Sequence, residues 1–567
     1  MTAASGIVAR KVPLAAERTL AQAGVHPLLS RLFAARGVRA PGELDCELGA
    51  LISPSELKSA DAAAALLADH ISTGKRLLIV ADYDCDGATA CAVGLRALTA
   101  LGARVDYFVP NRFETGYGLS PQVVELVAPA RPDLIVTVDN GIASFDGIAR
   151  AHELGIATLV TDHHLPADEL PDAACIVNPN QPGCPFPSKA IAGVGVMFYV
   201  MLALRAELRR RGAFAARAEP NLADLLDLVA LGTVADVVRL DRNNRVLVTQ
   251  GLKRMRAGRM QPGIAALFGA AGRDARRART FDLGFALGPR INAAGRLADM
   301  RLGIEALATA DYARALNIAQ ELDRLNRERQ RVEESMRRDA EAVLADVDVG
   351  DAASLVLYDE RWHQGVVGLL AGRLKDRHHR PVIALAQAGS GELRGSGRSI
   401  PGLHLRDALD LVSKRSPGLI LRFGGHAAAA GLVLCADDVE RFRAAFDAAV
   451  REMVDPAALA RTVETDGSLE PGYASLDVAR MLGDEVWGQG FPQPLFADEF
   501  EVESQRLVGE RHLRLRVARA GARYDAIMFR RAEPVPARVN AAYALGIDEW
   551  NGTEALSLRV EAIESAR

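Results

Sequence analysis

Three carboxylates alternate over five residues in Asp82-Tyr83-Asp84-Cys85-Asp86-Gly87. They follow the apolar run Leu77-Leu78-Ile79-Val80, which has the make-up of a buried parallel strand, and a helical stretch from Ala88 to Leu101 comes next. Successive side chains of an extended segment point to opposite faces, so Asp82, Asp84 and Asp86 are expected to share one face. Like charges held that close repel unless a cation sits among them. Hard divalent ions such as Mg2+ and Mn2+ take such oxygen ligands. The competing reading is a plain turn, because Asp and Gly commonly follow a strand.

Two more strand endings carry ionisable groups. Leu134 to Val138 runs into Asp139-Asn140-Gly141, and Ala157 to Thr161 runs into Asp162-His163-His164. Each is ordinary turn chemistry by itself. Successive parallel strands bring such endings to one sheet edge, where α/β proteins bind ligands. A predicted helix from Leu225 to Val234 leads into Ala235-Asp236. Asp236 either closes the site or caps a turn.

The elements that must position these groups alternate. Strands are expected at 77–82, 105–109, 134–138, 156–160 and 175–177, with helices at 88–101, 120–128 and 144–154. This rhythm predicts a parallel sheet covered on both faces. Residues 1 to about 70 read as helical, from the apolar spacing in Leu28 to Phe33 and Ala62 to Leu67. Residues 305–347 read as one long helix that could span about 50 Å at ~1.5 Å per residue. Asn326 and Arg329 break any coiled-coil seam there. A second α/β unit is expected over 350–455. It holds a hairpin-like stretch with Gly395-Ser396-Gly397-Arg398-Ser399, then Phe423-Gly424-Gly425-His426. Closely spaced glycines let backbone N–H groups approach a phosphate, and Arg supplies a planar donor fork, although Gly-rich turns are also common. Five short strands over 462–567 predict a small barrel of the OB type. Arg514 and Arg516 alternate with apolar neighbours on its basic face. Phe529, Tyr543 and Trp550 either stack bases or fill the core, and at least one is expected in the core.

At 567 residues the chain exceeds what one core supports, so several domains are expected. The 49% hydrophobic and 25% charged content is that of a soluble globular protein. No apolar run reaches the length of a membrane span, so no membrane partner is expected. The net charge of −4 gives no reason to expect nucleic acid. Between Asp241 and Met300, however, twelve Lys/Arg stand against four Asp. That excess forms either a phosphate-facing surface or a solvated face, and charge alone slightly favours the latter. Six scattered cysteines without CxxC pairs argue against a zinc knuckle or disulfide framework and fit a reducing cytosol, so a cytoplasmic location is expected. The first forty residues are Ala- and Arg-rich like a transit peptide, but Pro13, Pro27 and Gly37 interrupt them, and they are read as folded protein.

The motifs Asp82 to Gly87, Val138-Asp139-Asn140-Gly141, Asp162-His163-His164 and Gly232-Thr233-Val234-Ala235-Asp236 resemble those of the DHH phosphoesterase superfamily. His26-Pro27-Leu28-Leu29, Gly116-Tyr117-Gly118-Leu119, Gly288 to Arg296 and Trp362 to Gly368 are similar to the RecJ family, single-strand-specific DNA exonucleases of bacteria. The resemblance covers nearly the whole chain and shows no departure at the acidic or His positions. It implies an α/β architecture: a parallel-sheet DHH domain, a long connecting helix, a second α/β (DHHA1) domain and a C-terminal OB-fold β-barrel. The expected boundaries are 1–70 for an N-terminal helical cap, 71–304, 305–348, 349–457 and 458–567.

The resemblance further implies 5′-to-3′ exonucleolytic release of mononucleotides from single-stranded DNA, by two-metal phosphodiester hydrolysis, in recombination and repair. Two Mn2+ or Mg2+ ions would sit among Asp82, Asp84, Asp86, Asp139, His163 and Asp236. Asp139, ending a middle strand, would bridge them. His163 is the expected ligand of the His pair, His164 a substrate-facing group, and Asp162 the group that orients a neighbouring His. Tyr117, Arg290, Arg296, Ser396, Arg398, Gly424, Gly425 and His426 would contact nucleic acid, with Tyr117 stacking a base. Single-stranded DNA, a single-stranded-DNA-binding protein and a recombination helicase are the implied partners. One alternative is a DHH-family nanoRNase or small phosphoesterase, for which the N-terminal region and barrel are superfluous. Another is a non-catalytic replication scaffold, which the intact Asp82, Asp84, Asp139, His163 and Asp236 argue against.

Overall fold

The computed structural model describes residues 6–110, 118–344, 352–389, 391–509, 512–550 and 553–565. The chain divides into two compact units, each built from separated stretches. One comprises 13–327 with 483–493, the other 1–12 with 328–482 and 494–567.

The first unit is organised on a five-stranded parallel sheet in the order Arg104–Phe108, Arg76–Ala81, Leu134–Val138, Ala157–Thr161, Cys175–Val177. Its central strands are continuous apolar runs because both faces are covered. Helices Pro121–Val127 and Phe145–Glu153 cover one face over Leu78, Val80, Ile135 and Val160. On the opposite face, Gly94 of helix Cys85–Leu101 leaves room for Met197 of helix Gly193–Arg210. A Cβ at Gly94 would lie 2.6 Å from the Met197 methyl and 2.9 Å from Ile79.

Strand order reverses between Arg76–Ala81 and Leu134–Val138, and the crevice at such a reversal is where α/β sheets take ligands. Ala81, Val138, Thr161 and Val177 lie in register, so four strands end level. The residues just past those ends are Asp82, Asp139, Asp162 and Asn178. The ladder carries on into the acids. The Asp82 N–H donates to the Val138 carbonyl at 3.2 Å, Asp139 to Thr161 at 3.0 Å and Asp162 to Val177 at 3.1 Å.

The helix expected over 305–347 is two helices, Arg301–Ala308 and Tyr312–Leu344. Asp311 starts the second, its carboxylate accepting from the N–H groups of Ala313 (2.8 Å) and Arg314 (3.3 Å). Residues 483–493 return to this unit as an aromatic strap. Trp487 and Phe491 stack at 5.4 Å and both lie against Phe33. The Arg245 guanidinium sits 4.3 Å above the Phe491 ring. Leu240 N–H donates to the Gln489 carbonyl at 2.8 Å.

The second unit holds a mixed five-stranded sheet in the order Arg422–Gly425, Ala429–Cys435, Glu392–Arg398, Val382–Gln387, Leu355–Tyr358, in which the last pair is parallel. Its core gathers Ile383, Leu385, Leu432, Phe442 and Phe446. Strands Phe496–Val508, His512–Arg519, Ala522–Met528, Thr553–Ser565 and Arg538–Trp550 close a barrel in that order. Gly6–Ala9, in a stretch expected to be helical, is instead a strand paired in parallel with Thr462–Thr465. The Ile7 N–H donates to the Glu564 carboxylate at 2.5 Å.

Of the three barrel aromatics, Tyr543 is core and not a stacking surface. Its ring packs on Phe496 and Phe500, and its hydroxyl donates to Asp498 at 2.7 Å. Phe529 is exposed, while the Trp550 side chain lies outside the described residues. All six cysteines are free thiols. Among the described residues no helix is long and apolar enough to cross a membrane.

Candidate metal centre

The acidic run is not an extended strand beyond Asp82. Asp84 is the N-cap of helix Cys85–Leu101, its carboxylate accepting from the N–H groups of Asp86 (2.9 Å) and Gly87 (3.0 Å). The expected shared face therefore does not form by alternation. Asp86 lies in the first helical turn and is turned inward. Its two oxygens accept from Gly193 N–H (2.6 Å) and Val194 N–H (2.9 Å), at the positive end of helix Gly193–Arg210.

The helix start still gathers the acids. Ligand atoms of Asp82, Asp84 and Asp139 lie within 4.8 Å of one another, as do those of Asp86, His163 and Asp236, and those of Asp139, His163 and His164. Asp139 belongs to two of these sets. His163 Nε2 lies 3.1 Å from Asp139, 3.5 Å from Asp236 and 3.9 Å from Asp86.

Close packing makes the cluster possible. Asp139 has a φ of +62°, a left-handed conformation that costs energy in a non-glycine residue. A Cβ at Gly193 would fall 2.6 Å from an Asp139 oxygen, and one at Gly87 would fall 2.6 Å from the Asp82 carbonyl. Side chains at either position would push the acids apart.

Burial and then mutual repulsion raise Asp139 and Asp236 well above the ordinary carboxylate value. Burial, with repulsion from Asp84, takes Asp86 up to about 7 even though two N–H groups pull it down. A divalent cation relieves such repulsion. The oxygen-rich donor set, completed by imidazole, fits Mn2+ or Mg2+.

Asp162 does not join the cluster. It accepts from Ile142 N–H (2.9 Å), His163 N–H (2.7 Å) and His164 Nδ1 (2.8 Å). Burial pushes its carboxyl up, but the bond to His164 and that ring's charge outweigh burial and hold it below the usual value. Burial lowers His164, yet the Asp162 bond and charge outweigh it and bring the imidazole up to about 9.

Four asparagines not singled out from the sequence brace the site. Asn178 and Asn180 donate to the carbonyls of His164 (2.9 Å) and His163 (2.7 Å). Asn140 joins two strand ends through the carbonyls of Val80 (3.1 Å) and Val138 (2.9 Å). Asn292 accepts from Cys85 N–H at 2.7 Å. For Asn140, Asn178 and Asn180 the sequence signal was an Asn at or past a strand end, which alone reads only as a turn, whereas Asn292 lies inside helix Gly288–Leu297.

Of the expected nucleic-acid contacts, Arg290 is paired with Asp323 at 2.8 Å and donates to the Ala286 carbonyl at 2.6 Å. Arg296 lies on the same helix, Gly288–Leu297. Arg398 donates to the Ser396 hydroxyl (3.1 Å) and the Gly397 carbonyl (2.8 Å), and burial lowers its pKa. A Cβ at Gly368 would sit 2.8 Å from the Ser396 hydroxyl. Gly424 and Gly425 end their strand, and His426 N–H donates to the Ala429 carbonyl at 2.8 Å. Tyr117 lies outside the described residues. The basic excess over 241–300 is partly internal: Lys253 pairs with Glu47 (2.6 Å), Arg254 with Asp224 (2.8 Å) and Arg276 with Asp274 (3.0 Å).

Three family patterns match: "DHH family, N-terminal domain" over residues 76–233, "DHHA1 domain" over 351–452 and "RecJ OB domain" over 465–562. The single-stranded-DNA-specific exonuclease RecJ of Escherichia coli is 48% identical over 555 residues, covering 95% of this chain and 96% of that protein. The chain belongs to the RecJ family. The crystal structure of Thermus thermophilus RecJ with Mn2+ superposes with a TM-score of 0.82 at 33% identity, covering 99% of this chain and 79% of that one. The same RecJ with Mg2+ gives 0.77 at 31% identity, covering 99% and 78%. RecJ relatives are thus known with either ion that the donor set here fits.

Proposed function

We propose that this chain is a metal-dependent exonuclease that degrades single-stranded DNA from the 5′ end to mononucleotides, using two divalent ions. The observation that carries the reading is Asp139, placed between two sets of ligand atoms at the reversal point of the sheet. Asp82, Asp84 and Asp139 would hold one ion; Asp139, His163, Asp236 and Asp86 would hold the other. Such a pair supplies an activated water and stabilises the entering and leaving oxygens of an in-line phosphoryl displacement.

The chain's own groups set the geometry. The left-handed Asp139 backbone and the close approach of Gly193 fix the carboxylate that both ions would use. Asp86, anchored on two backbone N–H groups, holds the helix start against the cluster. His164, held through its Nδ1 by Asp162, is assigned to the substrate side of the site. Arg290 and Arg296 in the first unit, and Ser396, Arg398, Gly424, Gly425 and His426 in the second, are assigned to the DNA backbone. A role in recombination and repair, with a single-stranded-DNA-binding protein and a helicase as partners, completes the proposal by family resemblance.

The test is digestion of single-stranded DNA labelled at either end, with Mn2+ or EDTA, beside a blunt duplex and a dinucleotide. Mn2+-dependent release of labelled mononucleotide from the 5′ end of the long single strand is expected. Release from the 3′ end first would reverse the polarity, and cleavage of the dinucleotide alone would replace the reading with a small-substrate phosphoesterase.

A further inference from the structure

The end of helix Leu226–Ala235 that presents Asp236 is flanked by exposed apolar groups that the metal centre does not use. Val237, the next residue, is 63% exposed and has a φ of +59°. A β-branched residue in that region is a strained outlier, held only by its surroundings. Packed on the same helix end is the segment Thr280–Leu287. A Cβ at Gly284 would touch Val234 at 3.4 Å, and one at Gly288 would touch Ala235 at 3.0 Å. Within this segment Phe281 is 46% and Phe285 72% exposed. Their rings stack with centroids 4.9 Å apart and an interplanar angle of 25°. Leu283–Leu287 is a π-helical turn, a rare widening that recurs at functional sites.

Two large aromatic side chains in water forgo the stabilisation that burial gives them. Ring-on-ring stacking leaves an outer π face open, and that face suits a nucleobase. The ten residues 273–282 also carry four arginines against two aspartates, which favours an anionic polymer over an apolar protein surface. We propose that Phe281 and Phe285 form a base-stacking platform for single-stranded DNA beside the Asp236 side of the metal centre. The inference rests on the exonuclease reading and adds to it a sequence-tolerant contact with the bases.

The test measures affinity of the full chain for a fluorescent single-stranded oligonucleotide without divalent metal, so that nothing is cleaved. The doubly substituted Phe281→Ala/Phe285→Ala protein is expected to bind about 5- to 100-fold more weakly. Phe285→Trp should keep wild-type affinity, and Phe285→Leu, apolar but without a π face, should not. An oligonucleotide of abasic sites should bind wild type and double variant equally. Equal affinity of wild type and double variant for the normal strand, or rescue by Leu as good as by Trp, would overturn the platform and leave the rings to a protein partner. Wild type run in parallel with Mn2+ separates the two ideas: no digestion by wild type defeats the exonuclease reading, whereas digestion with unchanged affinity in the variants defeats only the platform.

Discussion

The two sheets carry opposite charges. Past the level strand ends of the parallel sheet, Asp139 is buried together with Asp86 and Asp236 from neighbouring helices, and burial with mutual repulsion raises all three pKa values. The mixed sheet holds Arg398, half-buried, beside a hydroxyl and a carbonyl, and among the described residues no carboxylate pairs with it. Charge held away from bulk water without an opposite partner is costly, so each arrangement makes sense as half of a pair. The first calls for a cation, the second for an anion. Under the proposed function, chemistry and grip fall to different sheets, and each can be damaged separately.

The largest expected effect comes from the negative half. Asp139→Asn should lower kcat for single-stranded DNA on the order of 1,000-fold, since metal stabilisation of the transition state is worth several kcal/mol. Affinity for the strand in EDTA should change less than about threefold, within the scatter of a neutral site. The positive half should respond the other way. Arg398→Ala removes charge-assisted donors and should raise KM by about 10- to 100-fold, with the salt slope of binding reduced by about 1. A large fall in kcat with KM unchanged would erase the division of labour.

A buried acid away from the site sharpens the contrast. Asp227 accepts from Leu228 N–H (2.9 Å) and Gln261 N–H (2.5 Å), and burial raises it to about 6 despite those bonds. A raised acid contributes stability below its unfolded pKa, about 3.9, and loses it as pH rises through about 6. The Tm of Asp227→Asn should therefore climb relative to wild type between pH 4 and 7, by thermal melts at each pH. The smallest effect is expected at Lys253, whose exposed pair with Glu47 is worth about 0–1 kcal/mol. Lys253→Ala should change single-strand affinity by less than about twofold if the basic stretch is a solvated face.

Asp82 and Asp139 were legible as acids of the candidate centre because parallel strands in register bring their ends level, and apolar runs reveal where those ends fall. The geometry of Asp84 and Asp86 was not. A helix that starts at Cys85 replaces alternation with capping, and the partners of Asp86 lie more than a hundred residues away. Local periodicity carries no information about such pairs. The same holds for Arg290, whose partner Asp323 sits 33 residues on, and for Asn180, whose role depends on a carbonyl of another segment. Tyr543 was ambiguous because a barrel aromatic has the same spacing whether it faces in or out. Asp311 ended the expected long helix by a rule visible in the sequence, Asp ahead of a helical run, but the smooth apolar spacing masked it.

The strand Gly6–Ala9 has a temporal consequence. Its partner, Thr462–Thr465, leaves the ribosome some 450 residues later, about 20–90 s at ordinary elongation rates. Until then a strand with open hydrogen-bonding edges waits without its mate, a condition in which chains pair wrongly or recruit chaperones. The strap at 483–493 imposes a similar delay on the first unit, whose Leu240, Arg245 and Phe33 stay uncovered until it arrives. Synthesis speed and chaperone supply, rather than the stability of the finished fold, should then govern how much active protein a cell recovers.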